Sequence, residues 1–225
     1  EKMTLKNFYQ KILKQVFLSV ALIIGGTGLF FMIYDRSIPK IPLETTTFLP
    51  HEFPIYIPVF ASRMQINAFI ENKLLLSQAE SIYAFYDTLT KSRQITTALL
   101  NSALLFEAPV NLIFALSNWE SGGFNLKAIG INENATTDHG LMGLNSRTFS
   151  SMTKEDFESP LRNAREGVQY LVKEYHRYQE TWERALIAYN SGKQDNIRST
   201  TINHLVNVLS FEREFDALFV EHFGH

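Results

Sequence analysis

The sequence predicts a mostly α-helical domain in a chain of 225 residues. Apolar residues recur with the period of an amphipathic helix over most of the second half, and residues 62–118 contain no glycine and one proline. The chain is 45% hydrophobic, which suits one packed core, and its formal net charge of −2 argues against a nucleic-acid partner. It has no cysteine, so disulfides and thiolate metal sites are excluded.

A long uncharged segment near the amino terminus predicts a membrane anchor. The eighteen residues 16–33 carry no charge and, as a helix, would reach ~27 Å, close to the hydrocarbon thickness of a bilayer. The positive charges before it are Lys2, Lys6, Lys11 and Lys14. This bias predicts residues 1–15 in the cytoplasm, residues 16–34 as a single pass through the cytoplasmic membrane, and the rest of the chain outside.

Two other interpretations of this segment are open. A cleaved secretory signal would also export the domain, but no Ala-x-Ala site follows the apolar run, which is longer than a usual signal core. A buried helix of a soluble domain fits poorly, because the run contains three glycines and has no polar face.

Residues 35–61 form a predicted proline-rich linker. Five of the seven prolines lie between Pro39 and Pro58, a density that excludes a helix and favours extended chain. At ~3.1 Å per residue the twenty residues from Pro39 to Pro58 reach up to ~60 Å. Residues 62–225 then make up the folded domain.

The helices of this domain are predicted in order from their apolar stripes. One stripe covers residues 99–106, and Pro109 suits the first turn of the next helix, Val110 to Trp119, which ends at Gly122-Gly123. Between Gly123 and Asn145 the sequence is polar and irregular and predicts a small loop lobe. Three further helices are marked by apolar residues within 164–178, 182–189 and 205–219.

Glu120 stands at the end of the Val110–Trp119 helix and is the leading candidate for catalysis. It follows Leu116 and Ile113 by four and seven residues, so the three share the apolar face and the carboxylate lies at the edge of the core. Desolvation and the negative end of the helix dipole both favour the neutral acid, the form that a general acid must take. A surface glutamate at a frayed helix end is the alternative.

Two downstream segments carry residues suited to a carbohydrate cleft. Gly140-Leu141-Met142 allows a tight turn, and Met142 offers a soft apolar contact to a sugar face. Tyr189 lies on the apolar side of a helix that ends at Asn190-Ser191-Gly192, where its ring can stack on a sugar or its hydroxyl can hold a carboxylate. Taken singly, the first segment is also a common buried turn and the tyrosine a common core residue.

The order and spacing of these three segments resemble the lytic transglycosylase and goose-type lysozyme superfamily, enzymes that cut the glycan strands of bacterial peptidoglycan. The resemblance covers about Thr97 to Phe219, with further matches at Phe124-Asn125, Gly167 and Tyr170-Leu171. It implies a lysozyme-like helical fold for residues 62–225 and peptidoglycan as the binding partner. Together with the anchor, it implies a domain on the outer, periplasmic side of the cytoplasmic membrane.

Within this resemblance, Glu120 matches the catalytic acid. It would protonate the oxygen of the β-1,4 bond between N-acetylmuramic acid (MurNAc) and N-acetylglucosamine (GlcNAc). The same group would then act as base toward the muramic 6-hydroxyl, closing a 1,6-anhydro ring without water. One carboxylate is sufficient for this reaction, unlike in two-carboxylate glycosidases, and no cofactor is implied. Ser121 matches a serine that supports the glutamate or the substrate. The other substrate-binding positions implied are Met142, Asn145, Tyr189 and Asn190.

Two departures from the family pattern lie at the expected site. Gly143 stands where the family usually has glutamine after Gly-Leu-Met, so a side-chain contact to the glycan is missing. Residues 201–206, Thr-Ile-Asn-His-Leu-Val, match the family pattern Glu-Thr-x-x-Tyr-Val only in the last valine. The second departure removes a carboxylate that commonly supports the cleft.

Asp138, two residues before Gly140, is a candidate second carboxylate. Facing Glu120 across the cleft, it would position a water and give hydrolysis, as in a lysozyme. As a loop residue it would cap local N–H groups, which is the interpretation we favour. The scattered histidines predict no metal site. The sequence thus predicts a membrane-anchored peptidoglycan lytic transglycosylase, with a muramidase and a catalytically weak glycan-binding or scaffold protein as alternatives.

Overall fold

The computed structural model describes the expected catalytic domain, with short gaps, as residues 62–75, 78–178, 181–192 and 197–224. The three amino-terminal segments predicted above, residues 1–15, 16–34 and 35–61, lie outside the described residues. Within the described part of the chain, no helix combines the length and the apolar character needed to cross a membrane.

The described residues form eight helices and one small sheet, which confirms the prediction of a mostly helical domain. The helices are α1 (Arg63–Leu75), α2 (Ala79–Thr90), α3 (Arg93–Leu105), α4 (Val110–Ser121), α5 (Lys154–Glu158), α6 (Pro160–Arg177), α7 (Trp182–Ser191) and α8 (Ser199–Phe223). The strands are β1 (Ile129–Ile131), β2 (Thr137–His139) and β3 (Leu144–Asn145).

Helix α4 is the most deeply buried element. All residues from Val110 to Ser117 are buried, as expected for a helix that packs on every side. Its most extensive packing is against the long helix α8, and α3 also packs on it. Gly122 ends α4 in the left-handed conformation, with φ 64°, as the sequence predicted. The helix continues two residues beyond the predicted end, Trp119, so Glu120 lies in its last turn.

An aromatic cluster joins α1, α2, α4 and α8. The rings of Phe85 and Phe219 meet edge to face with centroids 5.2 Å apart, and Phe69 meets Phe219 in the same way at 5.8 Å. Tyr86 packs on Phe114 with ring centroids 4.2 Å apart. Such pairs stabilise a fold by ~0.5–1.5 kcal/mol each beyond the area that they bury. The first two helices therefore share one core with the helix that carries Glu120.

Arg63, in the first turn of α1, ties that helix to α8. Its Nε and Nη2 donate to Oε1 and Oε2 of Glu212, both at 2.6 Å, and its Nη1 donates to Oε1 of Glu183 at 3.3 Å. The Glu212 side chain is only 5% exposed. Removal of Arg63 would leave this carboxylate buried without its cation, at a cost on the order of 3 kcal/mol.

The polar segment between Gly123 and Asn145 is not irregular as predicted, because it contains a three-stranded antiparallel sheet in the order β1-β2-β3. Gly130 pairs with Asp138, and His139 pairs with Leu144. Strands of two or three residues leave no alternating pattern for the sequence to reveal. This sheet carries Asp138 and Asn145 to one wall of a cleft.

Candidate active site

A cleft of about 840 Å³ lies at the carboxyl end of α4. It is lined by five of the residues predicted from the sequence, Glu120, Asp138, Asn145, Tyr189 and Asn190. Polar side chains make up most of its lining, and they come from the sheet with its β1–β2 loop, from the segment after β3, from α7 and from the start of α8. An open polar cleft with many hydrogen-bonding groups suits a sugar chain better than a compact apolar ligand.

Glu120 is held at this cleft by a histidine. Nε2 of His204, on α8, lies 2.6 Å from Oε1 of Glu120. The glutamate side chain is 17% exposed and the histidine side chain 4% exposed. No role for His204 was predicted from the sequence. The only signal for it was that it lies in the 201–206 segment, which departs from the family pattern.

Gly143 lies beside the other oxygen of Glu120. Its φ is 56°, and a Cβ built on it would collide with Oε2 of Glu120 and lie 3.1 Å from Cδ. Glycine at this position was predicted only to remove a contact to the glycan. The structure shows that it also makes room for the carboxylate.

Asn163, on α6, holds the Gly140–Gly143 turn in place. Its Nδ2 donates to two backbone carbonyl oxygens, one of them that of Phe157 at 3.0 Å, and its Oδ1 accepts from the N–H of Met142 at 2.9 Å. The asparagine is fully buried, and a Cβ at Gly140 would lie only 2.7 Å from the Phe157 carbonyl oxygen. Asn163 was not predicted from the sequence, because side-chain bonds to a distant turn leave no periodic pattern.

Met142 does not line the cleft, which corrects the prediction that it contacts a sugar face. Its side chain is fully buried against Gly167 of α6, where an added Cβ would lie 2.5 Å from the Cβ of Met142. Its carbonyl oxygen accepts a hydrogen bond of 2.6 Å from the Tyr189 hydroxyl. An unbranched apolar side chain fills such a gap well, so Met142 shapes the cleft through its backbone.

Tyr189 connects α7 to this turn. Its hydroxyl bonds to the Met142 carbonyl, not to a carboxylate as the sequence allowed. Desolvation raises the pKa of Tyr189 well above its usual value, and the nearby Glu120 carboxylate adds to the shift. The phenol therefore stays neutral at physiological pH and remains a hydrogen-bond donor. The adjacent Asn190 is exposed on the cleft wall.

Ser121 is buried behind Glu120, which corrects its prediction as a substrate-binding residue. Its Oγ donates to the carbonyl oxygen of Ser117 at 2.6 Å and accepts from the N–H of Asn125 at 3.1 Å. These two bonds fix the chain where it leaves α4. Ser121 therefore supports Glu120 only through the backbone.

Asp138 lines the same cleft as Glu120 and is held by two side-chain amides. Its Oδ1 accepts from Nδ2 of Asn145 at 2.7 Å, and its Oδ2 accepts from Nδ2 of Asn132 at 2.9 Å. Asp138 thus binds local N–H groups, as the interpretation we favoured predicted, although among the described residues these donors are side-chain amides and not backbone N–H groups. Asn145 also donates to Oγ1 of Thr136 at 2.9 Å, so its amide is held within the sheet.

A carboxyl group with one oxygen held and the other beside an open cleft can donate a proton to a leaving oxygen and take one back. In the ranges that the structure describes, no three histidine or carboxylate side chains are grouped to hold a metal ion.

Comparison with known proteins finds a family match. Residues 97–204 match the family model described as Transglycosylase SLT domain. The matched range includes Glu120, the Gly140–Gly143 turn and Tyr189, and it ends at His204. No curated protein and no solved structure matches the chain.

Proposed function

We propose the function of the protein from its family match: residues 97–204 form a transglycosylase SLT domain, of the lytic transglycosylase and lysozyme-like superfamily. The protein cleaves the β-1,4 bond between MurNAc and GlcNAc in peptidoglycan and leaves a 1,6-anhydro ring on the muramic acid. One observation carries this proposal. Glu120 lies in the last turn of α4, with one oxygen held by His204 and the cleft beside the other.

Glu120 supplies both proton transfers in this reaction. As the neutral acid it gives its proton to the glycosidic oxygen, the bond from that oxygen to C1 of the muramic acid breaks, and positive charge develops on the sugar ring. The carboxylate then accepts the proton of the muramic 6-hydroxyl, whose oxygen bonds to C1. Atoms and charges balance without a water. The nearby 6-hydroxyl has an effective concentration on the order of 10⁵ M or more, which favours it over solvent.

The product distinguishes this reaction from hydrolysis. Muropeptides released from purified sacculi are expected to end in 1,6-anhydro-muramic acid, one water lighter than the reducing end that hydrolysis leaves. Asp138→Asn is expected to leave this product unchanged, because Glu120 alone handles both protons. Mass analysis of the released fragments from both proteins measures the outcome.

A muramidase is the second candidate, and the position of Asp138 favours it. A carboxylate that lines the same cleft and is held at both oxygens is suited to orienting a water. Mainly reducing-end muramic acid, with cleavage lost in Asp138→Asn, would establish hydrolysis. Sacculi that stay intact with the wild-type protein would instead support a glycan-binding or scaffold role.

We also propose that residues 16–34 anchor the protein in the cytoplasmic membrane, with the domain on the periplasmic side. The support is the uncharged run of residues 16–33 and the lysines before it. The full chain is expected in the membrane fraction and a fragment that begins at Ser62 in the soluble fraction. Protease outside the membrane should digest the domain and spare residues 1–15. A mature protein that begins after Tyr34 would identify a cleaved signal peptide instead.

A further inference from the structure

We propose that His204 is a positioning residue for Glu120, which makes Oε1 a fixed hydrogen-bond acceptor and leaves Oε2 as the oxygen that gives and takes the proton. This role rests on the function proposed above. The two oxygens of the Glu120 carboxyl group then have different roles. Both departures from the family pattern take part, since His204 bonds to Oε1 and Gly143 leaves space for Oε2.

The first step is the contact itself. Nε2 of His204 and Oε1 of Glu120 lie 2.6 Å apart, a distance that requires one proton between them. The two side chains come from α4 and α8, the pair of helices with the most extensive packing in the domain. Because the imidazole is 4% exposed, it has little freedom to turn away from the carboxyl group.

The second step is the location of that proton. Nδ1 of His204 is buried and has no hydrogen-bond partner among the described residues. A buried N–H without an acceptor is costly and rarer than an acceptor without a donor. The imidazole therefore carries its proton on Nε2 and donates it to Oε1. Since Oε1 then accepts this bond whether Glu120 is neutral or charged, the acidic proton resides on Oε2.

The third step is the surroundings of Oε2. Within the described ranges Oε2 accepts no hydrogen bond, and it occupies the space beside Gly143 that a side chain there would fill. Gly143 itself lines the cleft. Oε2 is therefore the oxygen placed to meet the glycosidic oxygen. It loses its proton as the bond to C1 breaks, and it takes the 6-hydroxyl proton as the new bond to C1 forms.

A measurement of the ring proton tests the assignment without any catalysis. The full chain, labelled with ¹⁵N at histidine, is expected to show His204 with a proton on Nε2 and none on Nδ1 at neutral pH, in long-range ¹H–¹⁵N spectra. Glu120→Ala should shift the Nε2 resonance of His204 and leave the other histidines unchanged. A proton on Nδ1, or a resonance that does not respond to Glu120→Ala, would overturn the proposal even if the protein proves to cleave no glycan.

Two substitutions test the effect on turnover. His204→Gln retains an N–H donor at about the same reach and is expected to keep kcat on sacculi within about 3-fold, whereas His204→Leu should lower kcat on the order of 10-fold with KM unchanged. His222→Leu, about 27 Å away along α8, is the control and should match the wild type. Thermal unfolding verifies that each variant is folded. If His204→Leu does not fold, His204→Phe replaces it. An equal decrease of kcat in the glutamine and leucine variants, or a change in KM with kcat unaltered, would contradict the role.

Discussion

Glu120→Gln is expected to abolish glycan cleavage while the domain stays folded. The amide keeps the shape of the side chain and can still bond to His204, but it cannot donate and recover a proton. The loss in turnover should be on the order of 10²-fold or more, as for removal of other general acids. Release of soluble muropeptides from purified sacculi measures it.

Glu158→Gln is the matched control for this variant. Glu158 also lies in the last turn of a helix, α5, but it pairs with Lys154 at 3.7 Å on the surface and does not line the cleft. Its substitution should leave both turnover and the unfolding temperature near those of the wild type. Wild-type turnover in Glu120→Gln would remove Glu120 from the mechanism.

Gly143→Ala is expected to cost about 10²-fold in turnover, because the added Cβ takes the space of Oε2 and turns the carboxyl group away from His204 and the cleft. The left-handed φ of 56° adds backbone strain, ~1–2 kcal/mol for a residue with a side chain. Initial rates on sacculi give the first effect, and thermal unfolding gives the second.

Gly122→Ala separates these two effects. Gly122 has a similar φ of 64°, but a Cβ there would meet nothing within 4 Å. This variant should lose a similar amount of stability and keep most of its turnover. Equal turnover losses in both variants would mean that backbone strain, and not the contact with Glu120, explains the need for glycine at position 143.

The helices were predictable from the sequence where their apolar residues are periodic or their ends are marked. Helix α4 was predicted almost to its last residue, because an apolar run between Pro109 and Gly122 has marked ends. Helix α5 was missed, since five residues are too few to show a period, although its capping box of Thr153 and Asp156 was present in the sequence. The strands were missed for the same reason of length.

The candidate site was predictable only in part. Glu120 was found because a helix end next to glycines can be located from local sequence, whereas His204 lies 84 residues further along the chain and meets it only after α4 and α8 pack. Met142 and Ser121 were placed at the cleft by analogy, but side-chain direction within a turn depends on what packs behind it. Here Met142 packs against Gly167, and Ser121 bonds to the backbone N–H of Asn125, so both side chains are buried.

Arg63 lies before the range matched by the family model and Glu212 lies after it, so their ion pair joins residues from both sides of that range. The matched module, residues 97–204, stops inside α8 and omits α1, α2 and the aromatic rings of Phe85 and Phe219. A fragment cut at those limits would keep Glu120 and His204. It would lose the Arg63–Glu212 ion pair and the aromatic cluster, which hold α8 in place. The matched range is therefore smaller than the set of helices that share one core. Residues on both sides of the matched range therefore stabilise the domain that holds Glu120 and His204.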